Sequence, residues 1–137
     1  MKKTLTTLVL TLALTLTLGY MNVLGQNTDR LHKNGIPNLK QAVQSENTGL
    51  KKSAIYMAGK YKIAEMVEPL VNQLAKEDDD NVKVLIALSL YEIGDEKGID
   101  AIQDLAYREN PGRVKRMTEA LVYEYYKDED NLTALAK

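Results

Sequence analysis

The stretch that decides the fold is VKVLIALSLYEIGD, at residues 82–95. Two further segments open in a similar way, each 32 residues from its neighbour: LKKSAIYMAGKYKI at 50–63 and VKRMTEALVYEYYK at 114–127. In each segment, apolar or small side chains predominate at the first, fourth, fifth, eighth, ninth and twelfth positions, which share one face of an α-helix. The sequence therefore predicts one amphipathic helix that occurs three times.

Shorter amphipathic helices are predicted between these segments. Apolar residues recur at helical spacing in residues 66–74 and again in residues 99–106, and a first member is expected at residues 38–45. Because the joining loops are short, the two helices of each pair should pack antiparallel. A single pair cannot bury its apolar faces alone, so the pairs must stack on one another. The expected fold class is all-α, an α-solenoid of about three stacked antiparallel helical hairpins.

These segments resemble a known family, the HEAT-like repeats of the short bacterial type first described in phycobilin lyases. The family pattern is V-R…A-L-G-x-I-G-D…A-V-x-A-L. The residues that fit it are Val82-Lys83, Glu92-Ile93-Gly94-Asp95 and Ile99-Asp100-Ala101-Ile102, with a second match at Leu50-Lys51, Ala58-Gly59 and Val67-Glu68-Pro69-Leu70. The resemblance covers about residues 38–127 and implies a superhelix that serves as a binding scaffold.

The resemblance also implies a way of linking the repeats. In the family, the aspartate of the Gly-Asp pair commonly ties successive repeats together through a basic residue near the start of a helix. Only Gly94-Asp95 keeps this pair, since Lys62-Ile63 replaces it in the previous repeat. One link is therefore expected, from Asp95 to a neighbouring lysine such as Lys115, and a regular ladder of links is not expected.

Residues 1–25 have the features of a secretory signal peptide. Two lysines precede an uncharged run at residues 4–18, and small residues follow. The run is short and rich in threonine for a membrane span. Val23 and Gly25 occupy the positions that a signal peptidase reads, so cleavage is predicted after Gly25, with Gly19 as a weaker site and an uncleaved anchor as the alternative. The processed protein would be periplasmic or secreted, with no stable membrane insertion.

Charge is distributed unevenly along the chain. The whole sequence has a formal net charge of −1. Residues 26–64 contain 7 basic and 2 acidic residues, whereas residues 65–137 contain 9 basic and 17 acidic residues. A near-neutral exported protein has no bulk attraction to nucleic acid, so no nucleic-acid partner is expected. The expected organisation is a signal peptide at 1–25, a flexible lead-in at 26–37, a repeat domain at 38–130 and a C-terminal tail at 131–137.

The composition offers little for catalysis. The chain has no cysteine and a single histidine, His32 in the lead-in, and it contains no recognisable nucleophile motif or phosphate-binding loop. The acidic run at residues 77–81 lacks the alternating ligands and the glycine of a calcium loop. It is interpreted as an interhelix loop in which Asp80 or Asn81 caps the next helix. We therefore expect no enzymatic activity, no cofactor and no metal site.

The helix predicted at residues 82–93 is apolar on nearly all sides, which favours cover on both sides. The family resemblance places the second helix of each pair on a concave surface. Aligned positions there would form an apolar surface edged by tyrosines, with basic ends, a composition suited to protein contact. The predicted partner-binding residues are Lys52, Tyr56, Val84, Leu88, Tyr91, Arg116 and Tyr123.

Three functions fit these features. The first is an exported non-enzymatic scaffold or adaptor that binds a protein or peptide. The second is a structural domain that associates with itself through the same apolar surface. The third, by analogy with the lyases, is a protein that handles a small ligand or chromophore. In a separate alternative, the chain covers the surface itself, with residues 132–136 folded back or the lead-in crossing it.

Overall fold

The structure, a computed structural model, describes the backbone of residues 35–135 and the side chains of residues 35–127. Residues 35–43 are helical and are called α1. The later helices are α2 (Thr48–Lys60), α3 (Val67–Leu74), α4 (Asp80–Ile93), α5 (Glu96–Arg108) and α6 (Arg113–Leu135), with a 3₁₀ turn at Ala64–Met66. No strand occurs in residues 35–135, and the predicted all-α class is confirmed. The predicted signal peptide and most of the predicted lead-in lie outside the described residues.

Helices α2 to α6, within the unit Asn38–Lys137, form two layers. One layer contains α2, α4 and α6, and the other contains α3 and α5. α4 packs against α2 and α6 in its own layer and against α3 and α5 in the other layer. This position explains why α4 is apolar on nearly all sides. Its buried residues are Val82, Val84, Ile86, Ala87, Ser89 and Leu90. The predicted α-solenoid architecture is confirmed.

Short polar side chains fix the points at which the helices begin. The Asp79 carboxylate accepts hydrogen bonds from the amides of Asn81 and Val82, at 2.7 and 3.2 Å, and so caps α4. The expectation that Asp80 or Asn81 caps this helix is wrong by one or two residues, because Asp79 is the last extended residue and Asp80 is already helical. A carboxylate at this position satisfies amides that have no partner within the helix.

Two ion pairs of the same kind recur along the stack. The Lys51 ammonium lies 3.1 Å from a carboxylate oxygen of Glu77, and the Lys83 ammonium lies 2.7 Å from one of Glu109. Both pairs join residues 26 apart, and both lysines are the second residue of a repeated segment. A regular ladder between repeats therefore exists, contrary to the expectation from the Gly-Asp pattern.

The predicted link between Asp95 and Lys115 is wrong. The Asp95 carboxylate caps α5 by accepting a hydrogen bond of 3.1 Å from the amide of Lys97. The Lys115 ammonium instead donates to the backbone carbonyl of Ala106 at 3.0 Å. The carboxylate of an aspartate at a helix start accepts hydrogen bonds from the amides of its own helix. Lys51 and Lys83 therefore pair with glutamates and not with the aspartate of a Gly-Asp pair.

α2 and α4 approach each other at the level of the backbone. A Cβ atom placed on Gly59 would lie 2.7 Å from the Cα atom of Ser89, which is closer than real contacts allow. Beside this point, the Ser89 hydroxyl donates a hydrogen bond of 2.9 Å to the backbone carbonyl of Ile55. Both the serine and Ile55 are buried. Small side chains at these positions therefore set the distance between the two helices.

Replacing Gly59 by alanine tests this approach. We expect Gly59→Ala to lower the free energy of unfolding by about 1–3 kcal/mol, because the new methyl group meets the backbone of α4. In an uncovered helix the same change would be stabilising by about 1 kcal/mol. Gly98→Ala is the matched control, since its Cβ atom would meet the flexible end of Leu90 at 3.2 Å. Denaturant titration measures both variants, and a larger loss for Gly98→Ala would contradict the role of the approach.

The ladder predicts a dependence of stability on pH. Burial raises the pKa of Glu77, but hydrogen bonds from Gln73, Lys51 and the Asp79 amide outweigh it, and the pKa lies below its usual 4.5. Since this pKa is lower in the folded state, the stabilisation is complete above the unfolded-state value and is lost as the pH falls through the folded-state value. We expect Glu77→Gln to cost about 1 kcal/mol at pH 7.

The cost of Glu77→Gln should shrink when unfolding is measured below the usual carboxylate range, because the wild-type carboxylate is then protonated as well. Glu124→Gln serves as the control. It removes an exposed pair with Lys127, at 3.4 Å, and should have almost no effect at pH 7. A cost of Glu77→Gln that stays constant from neutral to acidic pH would show that the charge of Glu77 does not stabilise the fold.

Candidate functional site

One side of the layer formed by α2, α4 and α6 remains exposed or half-buried. Its residues form four rows that cross the three helices, with neighbouring members 32 residues apart. From the helix starts to the helix ends, the rows are Gly49, Asn81 and Arg113; Ser53, Leu85 and Met117; Tyr56, Leu88 and Ala120; and Lys60, Glu92 and Glu124. We call these twelve residues the exposed strip.

Two of the predicted binding residues lie at the centre of the exposed strip. Tyr56 is exposed on α2, and Leu88 is half-buried on α4, in the same row. Two further predicted residues, Tyr91 and Tyr123, are half-buried and exposed, respectively. They face along the stack, because Gly59 at the same repeat position on α2 packs against α4. The structure therefore brings Tyr56 and Leu88 together on the exposed strip and places Tyr91 and Tyr123 on a different side of their helices.

The remaining predicted binding residues differ in how much of each side chain is exposed. Val84 is only 4% exposed and belongs to the core of the stack. Its equivalents in the neighbouring repeats are Lys52, which is half-buried, and Arg116, which is exposed. This position faces the following repeat, so it is buried at the centre of the stack and exposed at its end. A partner could reach Arg116 without disturbing the fold, whereas Val84 is covered by its neighbours.

Sequence reasoning missed two residues of the exposed strip. Leu85 and Met117 match the buried face of the repeated helix, yet the structure leaves both half-buried in the row next to Leu88. They lie three residues before Leu88 and Ala120, and residues at this spacing share one side of a helix. That spacing was the signal that could have identified them.

Charged groups border the apolar middle of the exposed strip. At the helix starts, the Arg113 guanidinium donates a hydrogen bond of 2.6 Å to the side-chain carbonyl of Asn81 and so joins α6 to α4. At the helix ends, the Lys60 ammonium lies 5.7 Å from the ring centre of Tyr56, within the range of a cation–π contact. An apolar centre with a charged rim is the usual composition of a protein contact.

The acidic run at residues 77–81 has a structural role in the described fold. Hydrogen bonds from the amides of Asn81 and Val82 hold the pKa of Asp79 below its usual value, and Glu77 pairs with Lys51. Among residues 35–127, whose side chains the structure describes, no group of three His, Cys, Asp or Glu residues is placed to hold a metal ion. In the same part of the chain, no helix combines the length and the apolar character needed to cross a membrane.

Residues 132–135 do not fold back over the exposed strip. The backbone continues as α6 without interruption as far as Leu135. The alternative in which residues 132–136 fold back is therefore wrong for residues 132–135, because a continuous helix does not reverse its direction. The other alternative, cover by the lead-in, concerns residues that lie mostly outside the described part of the chain.

Comparison with known protein families gives a match over most of the described chain. Residues 32–122 match the family model for HEAT repeats. This range contains α2, α3, α4 and α5 completely and ends within α6. Neither the search of curated proteins nor the search of solved structures gave a significant match.

Proposed function

The chain belongs to the HEAT repeat family, and from this premise we propose that it is a non-enzymatic scaffold whose exposed strip binds a protein or peptide. HEAT repeats generally mediate contacts between proteins. The exposed strip corresponds to the concave face of such repeats. The single observation that carries the proposal is the third row, where Tyr56 and Leu88 stay accessible at equivalent positions of neighbouring helices.

The arrangement of rows suggests how a partner segment lies on the exposed strip. Packed helices are about 8–10 Å apart, so three helices span roughly 20 Å from axis to axis. An extended chain covers this distance with about six residues, at roughly 3.3 Å for each residue. A segment in the polyproline II conformation, with three residues in each turn of about 9 Å, could cross the helices along the rows and present an apolar side chain at every third residue, one to each of Tyr56, Leu88 and Ala120.

The proposed scaffold acts outside the cytoplasm. Support comes from the sequence alone, in which two lysines, an uncharged run and small residues precede Gly25. Export would bring the exposed strip into contact with proteins of the periplasm or of the surroundings. The mass of the protein purified from its source tests this part of the proposal. A chain that starts at Gln26 is expected, and a chain that keeps residues 1–25 would contradict it.

Substitutions in the third row test the binding role. Leu88→Glu places a charge at the centre of the exposed strip and should weaken partner binding by at least about tenfold, because a charge that loses water on binding needs a partner. Tyr56→Ala, which removes contact area, should also weaken binding. The partner is first isolated by affinity capture from the source organism, and its affinity for each purified variant is then measured by calorimetry.

Ala75→Glu is the matched control for the binding test. Ala75 is exposed at the end of α3, in the other layer, so the same charge is added away from the exposed strip. This variant should bind the partner as the wild type does. Circular dichroism should show the same helix content in all three variants. Undiminished affinity of a folded Leu88→Glu variant would place the binding site elsewhere and contradict the proposal.

A further inference from the structure

The stack of helices begins with an apolar surface on α2. Leu50, Met57 and Tyr61 are 51%, 42% and 61% exposed, although they lie on one side of the helix. One repeat later, Val82 and Ser89 occupy the positions of Leu50 and Met57, and both are buried. We call Leu50, Met57 and Tyr61 the start face. It is the surface that a preceding helix covers in the rest of the stack.

The other end of the stack presents the opposite half of the same contact. A groove of about 300 Å³ lies between α5 and α6. Among the residues that line it are Ala106, Tyr107, Glu119, Val122 and Tyr123, which we call the end face. Two repeats earlier, the positions of Val122 and Tyr123 are held by Ala58 and Gly59, which are buried. The end face is therefore the surface that a following helix covers inside the stack.

We propose that the protein associates head to tail, with the start face of one copy packed on the end face of the next. The contact would continue the stacking that α2, α4 and α6 already show within one chain. By this register, Met57 of one copy meets Tyr123 of the other, as Ser89 meets Gly59 inside the chain. A thioether against an aromatic ring is a favourable contact, and the larger pair fits the open groove.

Charge favours this pairing over a symmetric one. The difference in charge lies between the two ends of the chain, since residues 26–64 are net basic and residues 65–137 are net acidic. The groove of the end face is itself lined by both Lys115 and Glu119. Two start faces in contact would bring like charges together, which disfavours a symmetric dimer. A head-to-tail contact does not close on itself, so the proposal predicts chains that lengthen with protein concentration.

Sedimentation velocity of the purified protein tests the proposal. The wild type should sediment faster as its concentration rises, and added salt should weaken the association because opposite charges face each other. Met57→Glu, which blocks the start face, and Tyr123→Glu, which blocks the end face, should each remain monomeric. A mixture of the two variants should form dimers that grow no further, because each copy keeps one intact face. Ala75→Glu, which lies on neither face, should associate like the wild type.

Other occupants of the start face give different results, and each would overturn the proposal. A wild type that stays monomeric at all concentrations, with Met57→Glu lowering its melting temperature, would indicate that the residues before α1 in the same chain cover the start face. Dimers formed by Tyr123→Glu alone would indicate symmetric pairing of start faces. Variants that remain monomeric when mixed, beside a wild type that associates, would place the contact on another surface.

Discussion

The close approach of α2 and α4 at Gly59 and Ser89 sets the geometry on which the rest of the structure depends. With no side chain on Gly59, the two backbones meet, and the serine hydroxyl reaches the carbonyl of Ile55. That distance keeps the repeated segments in register. In this register, Lys51 reaches Glu77, and the same contact recurs one repeat later between Lys83 and Glu109. The rows of the exposed strip follow from the same alignment, since each row joins equivalent positions of successive helices.

α4 is the central element of this stack. It is the one described helix that packs against two neighbours in its own layer and against both α3 and α5 in the other. Its burial of apolar surface stabilises the repeats on each side, because in a solenoid each repeat contacts only its neighbours. The side of α4 that no helix within residues 35–135 covers still carries Leu85 and Leu88. The helix that stabilises the stack therefore also forms the centre of the proposed binding surface.

The sequence permitted prediction of the fold because its information is periodic. The spacing of 32 residues and the recurring apolar face predicted the three repeated helices, and Tyr56 and Leu88 were expected on one surface. Two kinds of contact were not predictable from the sequence: those that depend on how far inside the stack a residue lies, and those that depend on the geometry of a loop. Whether Val84 is buried depends on its place in the stack, since its equivalent Arg116 is exposed. The ladder was missed although Glu77 and Glu109 are 32 residues apart, because the apolar periodicity that predicts the helices does not mark charged residues at the helix ends and in the loops.

The central claim is that the fold is a stack of repeats centred on α4. Hydrogen exchange of the backbone amides in the monomeric protein tests this claim most directly. Amides of α4, such as that of Leu90, should exchange only through global unfolding, because neighbours on every packed side protect this helix. Amides of α2 and α6, which end the layer, should exchange faster through local opening. Exchange of α4 that is as fast as that of α2 and α6 would contradict the claim.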